Sequence, residues 1–141
     1  MSQRIATVTL VVDDYDAAIK FYVNTLGFTL NTDTPLGEGK RWVTVSPCGK
    51  AGARLLLAKA DGATQASRIG NQTGGRVFLF LETDDFGRDY TLYQARGVRF
   101  LEQPRRESYG TVAVFTDCFG NRWDLIQPAG AESDGGWGSE A

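Results

Sequence analysis

The sequence contains no histidine. That absence removes Ser-His-Asp and Cys-His nucleophile systems, histidine general bases and every metal site built on imidazole. Cysteine is scarce too. Cys48 and Cys118 are the only two in 141 residues, too few for a disulfide framework, and free thiols in a reducing compartment are expected. A catalytic cysteine wants a basic partner to form its thiolate, so neither is expected to be a nucleophile. No apolar run approaches the roughly 18 residues of a membrane span, and the N-terminal MSQRIATV has no signal-peptide core, so a cytoplasmic protein is expected. Neither sign of charge dominates. A formal net charge of −2 gives no electrostatic reason to expect nucleic acid or an anionic membrane as partner.

What is present is an ordinary globular composition, 42% apolar and 23% charged, in a chain long enough for one compact domain or two very small modules sharing a core. Residues 4–12, RIATVTLVV, are β-branched and apolar and predict a strand. Asp13 or Asp14 offers a helix cap, the apolar side chains from Tyr15 to Leu26 follow helical spacing, and Gly27 stops the helix. Three strands follow: FTLNTD, RWVTVS and ARLLLAKA, separated by the turn-rich TPLGEGK and the hairpin turn PCGKAG. Residues 61–75 are polar and glycine-rich and read as a flexible loop. The pattern then restarts, with a strand over 76–82, a cap at Asp84 or Asp85, a helix to Arg96 stopped by Gly97, and strands VRFLEQP, GTVAVFTD and RWDLIQP. The small, acidic segment 129–141 reads as a flexible tail in which Trp137 is the one docking candidate.

The two halves align at a nearly constant offset. Gly27 matches Gly97, Cys48 matches Cys118, Arg54 matches Arg122 and Leu56 matches Asp124, so a duplicated βαβββ unit is the economical reading. LVVDDYDAAIKFYVNTLGF and the closing hairpin VFTDCFGNRWDLIQP resemble the vicinal oxygen chelate superfamily, the glyoxalase I/bleomycin-resistance/extradiol-dioxygenase group. The resemblance covers residues 4–128. It implies an α+β fold in which two βαβββ modules, 4–60 and 76–128, form curved mixed sheets around a cup within one domain, 1–128. It also implies pairing of two chains, so a symmetric homodimer is expected. In metal-dependent members the ligands come from the first and last strands of each module. Carried onto this chain, those positions are Thr7, Leu56, Arg76 and Asp124. Only Asp124 ligates a divalent ion effectively, so no metal and no cofactor are expected.

Strand alternation predicts what lines the cup instead: Trp42 and Arg54 from the first half, and Arg76, Phe78, Phe80, Phe115, Arg122 and Asp124 from the second, with Tyr109 near the site. Aromatic walls and arginines suit a planar or anionic small molecule. Arg54 and Arg122 sit near strand starts, where reaching solvent explains them equally well, and Trp42 and Phe115 fit a core beneath a dimer contact as well as a ligand platform. Arg76 and Asp124 are expected to form a charge pair where relatives hold a metal. Three functions remain open: a small-molecule binder of the bleomycin-resistance type, an atypical or metal-free lyase, isomerase or dioxygenase-like enzyme whose only proton-transfer candidates are Asp124 and Tyr109, and a dimeric scaffold with a vestigial cup.

Overall fold

The computed structural model describes residues 1–49 and 51–130; Trp137 and the rest of segment 131–141 lie outside the described residues. The chain divides into two compact units at the Gln72–Thr73 boundary. In the first, Thr7–Val12 forms β1, Thr29–Gly37 β2, Lys40–Ser46 β3 and Arg54–Lys59 β4. They make one sheet in the order β1-β4-β3-β2, with β1 and β4 parallel and the other pairs antiparallel. In the second, Val77–Glu82 forms β5, Arg99–Phe100 β6, Arg105–Glu107 β7, Gly110–Thr116 β8 and Arg122–Pro128 β9. Their order is β5-β9-β8-β6 with β7 also on β8, and β5–β9 is again the parallel pair. Each unit is thus a curved mixed sheet with the same connectivity, an α+β arrangement.

Each sheet is covered on one face by its own helix. The first helix, α1 (Tyr15–Ile19), is capped by Asp14, whose carboxylate accepts from the Ala17 N–H at 2.8 Å. Its last stretch, Lys20–Thr25, widens into a π-helical turn. Ala18, Tyr22 and Leu26 recur every four residues, wider than the α-helical repeat of about 3.6, and the wider turn keeps all three buried. They pack with Leu10, Val12, Val43, Val45, Leu55 and Leu57 in the buried core, each such side chain contributing roughly 1.5–3 kcal/mol by leaving water. The matching helix of the second unit, α3 (Phe86–Ala95), is capped by Asp85, which accepts from the Arg88 N–H at 3.0 Å. The hairpin between β8 and β9 is fixed by the buried Asp117, whose carboxylate accepts from the N–H groups of Phe119 and Asn121 and from the Asn121 amide, all at 2.9 Å.

Three segments differ from their sequence reading. β2 runs through TPLG because Pro35 sits on an edge strand, where a missing N–H is tolerated, and the chain reverses only at Glu38–Gly39, both with positive φ. VRFLEQP is cut short after Phe100. The Glu102 carboxylate accepts from the Val114 N–H at 3.0 Å, so a side chain takes the donor that a longer strand would have paired. The expected loop 61–75 contains a one-turn helix, α2 (Ala63–Ala66), and Gln72 clasps the edge of β1. The Gln72 amide accepts from the Val11 N–H at 2.9 Å and donates to the Thr9 carbonyl at 2.7 Å, as a neighbouring strand residue would.

Two glycines separate backbone strain from steric approach. Gly27 has φ +82° with open space where a Cβ would stand, whereas at Gly110, φ +151°, a Cβ would lie 2.3 Å from the Gln127 carbonyl oxygen. Urea denaturation is expected to show Gly27→Ala costing about 1 kcal/mol and Gly110→Ala roughly 2–4 kcal/mol. Equal costs would contradict this account of the β8–β9 approach.

Candidate functional site

Residues opposite one another in neighbouring strands point to the same face of a sheet. In the first unit Val43 faces Leu57 and Val45 faces Leu55, all buried against the helix. The alternating set, Trp42, Thr44, Ser46, Arg54, Leu56 and Ala58, therefore lies on the helix-free face, with Thr7, Thr9 and Val11 of β1 beside it. The Thr32 and Thr44 hydroxyls are hydrogen-bonded on this face at 2.8 Å. Trp42 is 44% exposed and lines an open depression of about 450 Å³ with Leu36, Leu56, Ala58 and Gln65. Arg41 and Tyr15 line it too: Arg41 bridges Asp16 of α1 and Asp33 of β2 at 2.9 and 2.7 Å and lies over the Tyr15 ring, tying helix to sheet. Arg54 is exposed at the start of β4.

In the second unit the register pairs Phe115 with Trp123 and Val114 with Asp124. Phe115 stacks on Trp123 with ring centroids 6.0 Å apart, touches Tyr93 of α3, and is fully buried. Phe115 is therefore helix-side core and not a wall of the ligand site. Thr111 and Ala113 move with it, and Val112 and Val114 take the helix-free face. Strand alternation predicts Phe115 in the cup; opposite the buried Trp123 it falls on the other face, a slip of one residue in a period-two pattern. Phe78 sits at a register irregularity in β5 and turns edge-on to Trp123 at 6.5 Å. Phe80, opposite Asp124, stays on the helix-free face and is 63% exposed.

Asp124 is buried, and its Oδ1 has no hydrogen-bond partner. The expected charge pair with Arg76 is not formed. Arg76 precedes β5 and is exposed, and its carbonyl accepts from the Thr73 hydroxyl. Arg122 likewise turns away, donating to the Gly75 carbonyl at 3.2 Å. The guanidinium that bears on Asp124 is Arg105, which the sequence reading missed. Arg105 is held by Glu102 at 3.0 Å and Glu107 at 2.6 Å. Burial pushes the Asp124 carboxyl above the usual carboxylate range; Arg105 partly offsets this and Glu102 adds to it. The visible signal was the alternation of charge in EQPRRE, acids spaced to grip an arginine across a turn.

The Glyoxalase/Bleomycin resistance protein/Dioxygenase superfamily model matches residues 4–125. The chain belongs to this superfamily. An uncharacterized protein from Shewanella frigidimarina (strain NCIMB 400) is 57% identical over 128 residues, 90% of this chain and 95% of that protein. The crystal structure of UcmS2 is similar with a TM-score of 0.78 at 32% identity, covering 89% of this chain and 98% of that one. TnmS3, an antibiotic binding protein from Streptomyces sp. CB03234, is similar with a TM-score of 0.73 at 32% identity, covering 91% of this chain and 98% of that one.

The resemblance read from the sequence implies that the superfamily's metal-ligand positions fall at Thr7, Leu56, Arg76 and Asp124. These residues do not fit a divalent ion. Leu56 has no lone pair, Arg76 brings a positive charge, and the one carboxylate is buried with an orphaned oxygen beside Arg105. Among the described residues no three Cys, Asp or Glu side chains gather into a possible ion site. Cys118 is no alternative nucleophile, because desolvation of its sulfur and then the Asp117 charge push the thiol up to about 12. No helix among the described residues is long and apolar enough to cross a membrane.

The raised Asp124 carboxyl has a measurable consequence. Folded protein holds this proton more tightly than the unfolded chain, so the group's contribution to stability is fully present below the unfolded value near ~3.9 and is lost as pH rises through the folded one. Across a urea-denaturation series from about pH 4 to pH 7, wild type is expected to lose stability relative to Asp124→Asn. A difference that is flat or grows with pH would show that Asp124 is ionised without cost.

Proposed function

We propose that this protein binds and sequesters a small planar molecule, without a metal and without a cofactor. The observation that carries this reading is the residue set at the superfamily's ligand positions, which lacks the donors for metal chemistry while the helix-free faces keep exposed aromatic side chains. In the first unit Trp42, with Leu36 and Leu56 beside it, offers stacking area; in the second, the exposed Phe80 offers an aromatic face of its own. The likeness to the antibiotic-binding TnmS3 at 32% identity supports an antibiotic-like ligand. The protein acts as a symmetric homodimer in the cytoplasm on this reading. β2, exposed along all nine residues with Leu30 and Leu36 outward, is an unpaired edge suited to a second copy.

One observation favours a second reading. A buried carboxyl that keeps its proton, as Asp124 does more readily than a solvated one, is equipped to be a general acid. A metal-free lyase or isomerase would use it so.

A thermal-shift screen of planar aromatic antibiotics is expected to yield compounds that raise the melting temperature in a concentration-dependent way. Trp42→Ala is expected to weaken such a compound at least tenfold, about 1.4 kcal/mol. The compound recovered from the complex is expected to be chemically unchanged. Turnover that disappears in Asp124→Asn would replace the binding reading with the enzyme reading, and a screen without hits would leave both without support.

A further inference from the structure

We infer that the end of the first sheet where β4 begins is a binding site for a small oxyanion, the chemistry shared by phosphate and carboxylate groups. A cavity of about 180 Å³ opens there, and its polar side chains are Arg4, Asn31, Ser46 and Arg54. All four can donate hydrogen bonds, and among the described residues no acidic side chain lines the cavity. The lining therefore carries two positive charges and no negative one.

Among the described residues no carboxylate pairs with this charge. Arg41, Arg88 and Arg105 each grip two carboxylates. Arg4 and Arg54 take part in none of these ion pairs, although the chain is acidic overall. Two guanidiniums held near one another without a counter-ion repel, and an anion between them removes that cost while receiving charge-assisted hydrogen bonds.

The fold brings the donors together from four segments. The Arg54 N–H donates to the Ala6 carbonyl at 2.9 Å, which fixes the segment bearing Arg4 beside β4. Ser46 ends β3. Asn31 is the extra residue where the β2–β3 register jumps between Leu30 and Thr32, and a bulge of this kind re-aims a side chain. The β3–β4 loop contributes Pro47, Gly49, Ala51 and Gly52, so that wall brings no charge of its own among the described residues.

The site is separate from the aromatic depression. Trp42 and Ser46 lie four residues apart on β3, about 13 Å along a strand. The inference thus goes beyond the proposed planar ligand and stands or falls independently of it.

The test titrates full-length protein with inorganic phosphate, and separately with acetate, following backbone amide shifts by NMR. Phosphate is expected to move the Asn31, Gly49 and Gly52 amides saturably. Arg54→Met and Arg4→Met are each expected to weaken phosphate at least tenfold, and Trp42→Ala to leave it unchanged. Arg4 lies outside every strand, so that variant decides the matter even if Arg54→Met disturbs folding. Saturation by both anions means a carboxylate is accepted, and saturation by phosphate alone means a phosphoryl group is selected; either supports the site. Shifts that do not saturate, that spread over the whole surface, or that persist in both arginine variants would overturn it.

Discussion

Asp124 is a carboxyl group removed from water with one oxygen left unpartnered, and much of the second unit is arranged around that cost. Burying an unpaired carboxylate is expensive, and a group so placed lowers the cost by keeping its proton or by finding a cation. Here Arg105 supplies positive charge but is shared between Glu102 and Glu107, so Asp124 remains shifted upward. The same Glu102 stands in for a strand at Val114. The polar cluster therefore shapes the sheet edge as well as the site's electrostatics.

A divalent ion needs several donors at short range, and Leu56 and Arg76 cannot provide them. What the helix-free faces offer instead is surface. On the first sheet, Trp42 stands at one end and Arg54 at the other. On the second, Phe80 stands beside Asp124 in the β5–β9 register. Stacking area with a few fixed polar anchors is the usual composition of a small-molecule site.

The repeated topology was legible because it rests on local rules. Asp14 and Asp85 cap their helices by accepting from the third N–H onward, and Gly27 and Gly97 stop them with positive φ. The helix-free face of the first sheet was also legible, since its hydrophobic alternation is clean. The second sheet was harder. In GTVAVFT nearly every residue is apolar or small, so alternation alone does not say which set faces the helix, and only the register opposite Trp123 decides that Phe115 is core. The Arg76–Asp124 pair failed for a different reason: duplication predicts which strand a residue borders but not whether a long side chain folds inward. The partner that bears on Asp124 came from the β7 hairpin, a segment with no clear strand signal.

The central claim is that ligand binding by this chain needs no metal. The most direct test measures the melting-temperature rise given by one bound antibiotic before and after exhaustive chelation and dialysis, with elemental analysis of the same samples. The account predicts an unchanged rise and no stoichiometric zinc, nickel, iron or manganese. A rise that vanishes on chelation and returns with one equivalent of a divalent ion would contradict it.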